Sequence, residues 1–138
     1  MHRTIILLAI ITSVLFTGCS AKAKLERHVK RADAYFEKGE FERARIEYMN
    51  AFQLDRNDPH VAARLGETFL KDGDILNAYR LLSQAVSLQA TNTEARVKLA
   101  TVLLLGGEPA KAREHALEVL KQSPLHPDGL LVYANTSL

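Results

Sequence analysis

Residues 65–78 read LGETFLKDGDILNA, and the pattern of this stretch returns along the chain every 34 residues. Small residues mark each return at three places, with no insertion between the copies. The three sets are Ala32, Gly66, Ala100 and Ala134, then Gly39, Gly73 and Gly107, then Ala44, Ala78 and Ala112. Similarity at one fixed period is the sequence signature of a solenoid, in which each copy packs on the next one.

Numbering each copy from 1 to 34 divides most of the chain into repeats. Three whole repeats are predicted at 25–58, 59–92 and 93–126, and residues 127–138 are the first helix of a fourth repeat. Because the chain stops inside the pattern, we expect a fragment of a longer array or a truncated reading frame. The alternative is a complete protein whose last helix packs by itself.

Apolar residues within a copy follow the spacing of a helix. Ala44, Tyr48 and Phe52 fall at i, i+4 and i+8, which places them on one face of a helix. No long stretch alternates with period two, so strands are not expected. With 47% hydrophobic and 25% charged residues, the composition is that of an ordinary folded domain. The fold class predicted is all-α, a solenoid of antiparallel helix hairpins.

Turn and cap residues lie between the predicted helices. Glycine at copy position 15 is expected just past the end of each first helix, where the left-handed conformation favours it. Asp58 before Pro59 predicts an N-cap followed by proline at the first helical position, and Asn92 stands at the equivalent cap. Thr91 and Glu94 also offer a capping box. The small residue at copy position 8 is expected to face the one at position 20.

The repeat resembles the tetratricopeptide repeat (TPR), a helix–turn–helix unit of 34 residues. The second copy carries the resemblance best, through Leu65-Gly66-Glu67-Thr68-Phe69 together with Ala78. Where the family has tryptophan at copy position 4, this chain has His28, Ala62 and Arg96. The resemblance implies a superhelix whose concave surface is lined by the first helix of each repeat and binds polypeptides.

The resemblance also implies which residues line that groove. They are Val29, Asp33, Phe36, Glu37, Ala63, Glu67, Leu70, Lys71, Val97, Thr101 and Leu104. Acidic and apolar side chains mixed in this way suit an extended or helical peptide with apolar anchors and some basic character. The alternative is that part of the apolar set only packs the hairpins. A clamp for a terminal carboxylate is not expected, because Arg64 and Lys98 have suitable charge but Asp33 and Glu94 would repel the ligand.

The N-terminus reads as a leader. After Arg3, an apolar run extends from Ile5 to Phe16 and is shorter than the ~20 residues that a membrane span needs, as in a secretory signal. The end of the run, Phe16-Thr17-Gly18-Cys19, resembles the bacterial lipobox. The resemblance implies that the signal peptide 1–18 is removed, that Cys19 carries lipid, and that 19–24 forms a tether. The alternative is a short uncleaved anchor with an incidental cysteine.

Chemistry-bearing motifs are absent from the sequence. There is no metalloprotease, phosphate-loop, nucleophile-elbow or dinucleotide-binding motif, and the histidines have no recurrent ligand spacing. The net charge of +2 is too small to indicate a nucleic-acid partner. The sequence therefore predicts a non-enzyme without cofactor, metal or small-molecule substrate.

Lipobox, tether and regular repeats together resemble large bacterial TPR lipoproteins. The segments 36–41 (FEKGEF) and 50–52 (NAF) resemble the TPR lipoproteins linked to PEP-CTERM/exosortase and exopolysaccharide systems. This resemblance implies a scaffold or adaptor that binds proteins at the periplasmic face of the cell envelope. The residue after the cysteine is Ser20 and not aspartate, which favours the outer membrane by resemblance to enterobacterial lipoprotein sorting. Two alternatives remain: a pilus or secretin assembly lipoprotein, and the N-terminal anchor of a larger envelope enzyme.

Overall fold

The structure, a computed structural model, describes the backbone of residues 2–136 and the side chains of residues 20–136. Within this part of the chain there are seven helices and no strand, which confirms the predicted all-α fold. The helices are α1 (His2–Glu37), α2 (Phe41–Leu54), α3 (Pro59–Lys71), α4 (Ile75–Leu88), α5 (Thr93–Leu105), α6 (Pro109–Gln122) and α7 (Pro127–Asn135).

Helix boundaries repeat with the same period as the sequence. α3, α5 and α7 begin at Pro59, Thr93 and Pro127, which are successive copies of one position. The second helices α2, α4 and α6 likewise begin and end at equivalent positions. Each repeat is therefore one helical hairpin, and consecutive hairpins stack along the chain.

The turn inside each hairpin is closed by the predicted glycine. Gly39, Gly73 and Gly107 have φ values of 74°, 77° and 77°, in the left-handed region. In the first turn the amide of Gly39 bonds to the carbonyl of Phe36 at 2.9 Å, and that of Glu40 to the carbonyl of Tyr35 at 2.9 Å. This pair of bonds is the Schellman motif, and it recurs in the other two turns.

Side chains cap the starts of four described helices, α3, α4, α5 and α7; at α7, Nδ1 of His126 accepts from the amide of Gly129 at 3.3 Å. Asp58 accepts from the amides of His60 and Val61, at 2.9 and 3.1 Å, and Asn92 accepts from the amide of Ala95 at 3.0 Å, so both predicted caps are confirmed. The predicted capping box is wrong, because it needs Thr91 as the N-cap and the structure has Asn92 there. Asp74 caps α4 through the amide of Asn77, which the sequence analysis did not predict.

Small residues form the centre of each hairpin. Ala32, Ala44, Ala78, Ala100 and Ala112 are all fully buried. Ala32 and Ala44, at copy positions 8 and 20 of the first hairpin, belong to one buried cluster, which also contains Tyr48 at position 24. Their small size lets the two helices approach closely.

In the second and third hairpins the predicted pairing of positions 8 and 20 is wrong. A Cβ on Gly66 would lie 2.8 Å from Cγ of Leu82, which is copy position 24. Ala100 packs in one cluster with Ala116, also position 24, while Ala112 belongs to the cluster on the other side of the hairpin. Position 8 is therefore opposed one helical turn further along the second helix than we predicted.

The N-terminal helix α1 runs through the residues predicted as a leader and a tether. Residues 20–24 of the predicted tether are helical. Cys19, the predicted lipidation site, lies outside the residues whose side chains are described. Among the described residues, no helix combines the length and apolar character needed to cross a membrane.

Candidate functional site

The first helices of neighbouring repeats form the inner side of the stack. α3 contacts α5 and α5 contacts α7, whereas in the described part of the chain the second helices α2, α4 and α6 make no comparable contact with one another. Because α3, α5 and α7 lie closer together than the second helices, this part of the array curves toward them. The face predicted to bind polypeptides is therefore the concave one, and we call it the concave face.

The centre of the concave face holds an open cavity of about 390 Å³ between α3 and α5. Its lining includes two predicted groove residues, Ala63 and Glu67. The other lining residues are His60, Arg64, Leu82, Asn92, Glu94, Ala95 and Lys98. Four of these side chains carry a formal charge, so the charge of a ligand should strongly affect its binding in this cavity.

Glu67 pairs with both cations of this cavity. Its carboxylate lies 3.4 Å from a guanidinium nitrogen of Arg64 and 3.1 Å from Nζ of Lys98. Arg64 stands three residues earlier on the same helix, and Lys98 belongs to the next repeat. The Glu67 side chain is only 13% exposed, so the pairs are better shielded from solvent than an ordinary surface pair.

Asp33 joins the first repeat to the second. Its carboxylate accepts a 2.5 Å hydrogen bond from the hydroxyl of buried Tyr48 and lies 3.1 Å from Nε2 of His60. Burial, and then the hydrogen bond to the Asp33 carboxylate, raise the pKa of the Tyr48 hydroxyl above its usual range. The tyrosine therefore stays protonated and acts as a donor that holds Asp33 in place.

Phe36 anchors an aromatic cluster at the hairpin turn. Its ring packs edge-to-face on Phe41, with centroids 5.2 Å apart, and lies 6.5 Å from the ring of Tyr48. The guanidinium carbon of Arg64 lies 4.6 Å from the centroid of Phe36, in cation–π geometry. Arg64 thus connects the aromatic cluster to Glu67.

A second cavity, of about 430 Å³, lies at the N-terminal end of the concave face. Two predicted groove residues, Val29 and Asp33, contribute to its lining. The remaining lining residues are Lys22, Leu25, Glu26, Lys30 and Asp58. The structure therefore places four of the predicted groove residues in two neighbouring cavities on one face.

Other predicted groove residues serve the core. Val97 is 2% exposed, so its side chain belongs to the interior and not to the groove. Leu70 and Leu104 are partly buried against the hydrophobic core, as the alternative reading of the apolar set expects. The hydroxyl of Thr101 donates to the carbonyl of Val97 at 3.0 Å. Val97, Leu70 and Leu104 therefore pack the hairpins and do not line an open groove.

Two charged groove residues lie at the hairpin turns. Lys71 is exposed and its ammonium lies 5.6 Å from the centroid of Phe41. Glu37 is exposed at the end of α1. Both lie beside the aromatic cluster, at the edge of the concave face.

An apolar cavity of about 440 Å³, which was not predicted from the sequence, lies where α4 packs against α5 and the start of α6. We call this place the open seam. In the preceding seam, Arg45 pairs with Asp72 and lies 5.6 Å from the ring centroid of Phe69. At the equivalent positions of the open seam, Tyr79 replaces the cation, Gly106 the carboxylate and Leu103 the phenylalanine ring. The cavity could have been predicted from these three differences between the repeats, at copy positions 21, 14 and 11.

Two polar pairs occupy copy positions 4 and 23, where the repeat departs from the family pattern. Nδ1 of His28 lies 2.6 Å from the carboxylate of Glu47, and Nδ1 of His115 lies 3.5 Å from a guanidinium nitrogen of Arg96. Burial, with a smaller effect from the neighbouring Arg96 charge, lowers the pKa of His115 below its usual value. In the first and third hairpins, a polar pair at copy positions 4 and 23 therefore connects the two helices, where the family pattern has tryptophan at position 4.

Family models of the tetratricopeptide repeat match the chain in two places. One matches residues 25–58, the first predicted repeat, and the other matches residues 69–136. No curated protein sequence matches the chain closely enough to count as a relative.

Solved structures share the fold at low sequence identity. The TPR domain of Arabidopsis OM64 superposes with a TM-score of 0.79 at 14% identity, over 85% of this chain and 97% of that one. The first TPR domain of Spaghetti (RPAP3), bound to the HSP90 peptide SRMEEVD, gives 0.78 at 16% identity, over 83% and 91%. The Yersinia enterocolitica secretion chaperone SycD, bound to a YopD peptide, gives 0.68 at 20%, over 82% and 86%.

Proposed function

Because the chain belongs to the tetratricopeptide repeat family, whose stacked hairpins serve as protein-binding surfaces, we propose that it is a binding scaffold and not an enzyme. Its concave face holds a segment of a partner protein. The observation that carries the proposal is the open cavity of about 390 Å³ between α3 and α5, which the first helices of two repeats build together.

The partner segment combines apolar and basic side chains. Glu26, Glu37 and Glu94 are exposed on the first helices, and none of them takes part in an ion pair among the described residues. Phe36 and Ala63 supply apolar contact beside them. A polypeptide with lysine or arginine next to leucine-like side chains complements this face in charge and in polarity.

Structural neighbours support a polypeptide ligand. The Spaghetti domain holds an HSP90 peptide and SycD holds a peptide of the translocator YopD. Those peptides are ligands of the neighbours. For this chain we propose only that the same architecture binds a segment of polypeptide.

We further propose that the scaffold works at a bacterial membrane. The support is the lipobox-like sequence Phe16-Thr17-Gly18-Cys19 after a short apolar run. Two or three acyl chains on Cys19 would hold the protein stably, since stable anchoring takes two signals. The likeness of segments 36–41 and 50–52 to the exosortase-associated TPR lipoproteins supports a place in exopolysaccharide or extracellular protein export.

Selection from a random-peptide library tests the binding proposal. We expect the selected peptides to carry basic and apolar side chains. Ala63→Trp, which fills the central cavity, should abolish their binding, and Glu94→Lys should weaken it. Ala110→Trp adds the same bulk at an exposed position of α6 and is the matched control. Peptides that bind the wild type and Ala63→Trp equally, with both helical by circular dichroism, would contradict the proposal.

Cell fractionation tests the anchor. Cys19→Ser should remove lipid labelling and release the protein from the membrane, or leave the leader uncleaved and the chain larger. A Ser20→Ala variant is the matched control and should remain in the membrane fraction. If Cys19→Ser fractionates and migrates like the wild type, the anchoring proposal is wrong.

A further inference from the structure

The three charges at the centre of the concave face are arranged as an occupied anion site. Arg64 and Lys98 come from different helices and converge on one carboxylate, that of Glu67, at 3.4 and 3.1 Å. Two converging cations of this kind are what protein sites use to hold a carboxylate or a phosphate. Here the carboxylate is supplied by the chain itself.

We infer that Glu67 is a specificity-determining residue of the concave face: it occupies the place of a ligand carboxylate and so excludes acidic peptides. The inference rests on the proposed peptide-binding function and names the class of segment that the face accepts, which is neutral or cationic where it meets α3 and α5. Without Glu67 the same cavity would present the two cations of Arg64 and Lys98 against the single carboxylate of Glu94.

Tethering makes Glu67 a strong competitor. A group held on the same helix acts at an effective concentration of about millimolar or more, which an acidic ligand in solution has to exceed. Its side chain is 13% exposed, so an incoming carboxylate would also have to displace a largely buried one. Leaving that carboxylate without its partners carries a further cost.

Neighbouring charges act in the same direction. Glu94 lines the same cavity and Asp33 lies within reach of His60 on its rim. Arg64 and Lys98 contribute two positive charges, and Glu67, Glu94 and Asp33 contribute three negative charges, so the cavity and its rim together are acidic. A lysine or arginine of the partner can pair with Glu94, whereas a glutamate would meet repulsion there.

Two peptides that differ in charge test the inference. The acidic probe is SRMEEVD, and the matched basic probe is SRMKKVK with an amidated C-terminus. We expect the wild-type chain to bind the basic probe more tightly. Glu67→Gln should raise the affinity for the acidic probe by about tenfold and lower that for the basic one, since a charge pair across an interface is worth about that factor or more.

Control variants separate the local effect from net charge. Glu118→Gln also removes one carboxylate, which pairs with Lys121 on α6, and should leave the preference unchanged. Adding Lys98→Met to Glu67→Gln removes one of the two cations and should cancel most of the gain. If Glu67→Gln changes the preference no more than Glu118→Gln does, or if the wild type already binds both probes equally, the inference is overturned.

Sulfate binding gives a readout without any peptide. Sodium sulfate, compared with sodium chloride at equal ionic strength, should raise the melting temperature of Glu67→Gln more than that of the wild type or of Glu118→Gln. An equal response in all three proteins would overturn the inference. If the sulfate effect appears but neither peptide binds any variant, the anion site stands and the proposed binding function fails.

Discussion

The hydroxyl of Tyr48 donates a hydrogen bond of 2.5 Å to the carboxylate of Asp33. Tyr48 is fully buried on α2, whereas Asp33 is about two-fifths exposed on α1 and also contacts His60 of the next repeat. The bond therefore connects the core of one hairpin to the concave face. A side chain that sequence reasoning assigned to ligand contact is held in place from inside the fold.

Tyr48→Phe should destabilise the array by about 1.5 kcal/mol, the lower end for a hydrogen bond to a charged group, because water can replace the lost partner at half-exposed Asp33. Tyr79→Phe is the control, since Tyr79 is 44% exposed and makes no side-chain hydrogen bond among the described residues. Urea unfolding measures both. Equal midpoints for the two variants would show that the Tyr48 hydroxyl contributes nothing.

Adjacent glycines at the third turn should respond differently to alanine. Gly107 has a φ of 77° and open space around its Cα, so Gly107→Ala should cost about 1–2 kcal/mol through backbone strain alone. Gly106 has a φ of −80°, and an added Cβ would approach the carbonyl of Val102 at 3.3 Å. A φ of −80° is ordinary for alanine, and the gain of about 1 kcal/mol in helix propensity offsets the close contact with that carbonyl, so Gly106→Ala should be close to neutral. Thermal unfolding of the pair checks this, and a larger loss in Gly106→Ala would contradict the assignment of the turn.

The fold could be predicted because its signals are local and repeated. Glycine at one copy position, Asp58 before Pro59 and small residues at fixed intervals each depend on short-range geometry, and the structure reproduces that period at the helix ends. The pairing of Gly66 with Leu82 could not be predicted in the same way. It depends on the offset between two antiparallel helices, which no spacing within one helix determines.

The site was predicted less completely for a related reason. A helical periodicity tells which residues share a face, but not how far the next hairpin covers that face. Val97 and Ala63 are equivalent in the repeat, yet Val97 is buried and Ala63 lines a cavity. The ion pair of Glu67 with Lys98 also crosses between repeats, and its geometry follows from stacking.

Acid should weaken the third hairpin through His115. Burial and then the charge of Arg96 lower the pKa of His115, while Glu114 opposes this effect. The unfolded chain therefore binds a proton more readily, so stability is fully present above about pH 7 and falls as the pH drops below 6.5 and through the lowered pKa. Urea unfolding at about pH 7.5 and about pH 5.5 should show a smaller difference for His115→Gln than for the wild type. An identical pH dependence in both proteins would rule out His115 as its source.

Gly66→Ala should destabilise the array although alanine is the better helix former. The added Cβ would lie 2.8 Å from Cγ of Leu82, 3.2 Å from Cβ of Leu81 and 3.2 Å from the backbone nitrogen of Leu82. The Leu82 side chain can rotate away, but the Leu81 Cβ and the Leu82 backbone nitrogen cannot, so overpacking of about 1–3 kcal/mol outweighs the gain of about 1 kcal/mol in helix propensity. Ala100→Gly at the equivalent position should instead cost about 1 kcal/mol through propensity. Adding Leu82→Ala to Gly66→Ala should cost less than the sum of the single changes, because the 2.8 Å contact with Cγ of Leu82 is removed. A higher melting temperature for Gly66→Ala would mean that the second hairpin is packed more loosely than these distances require.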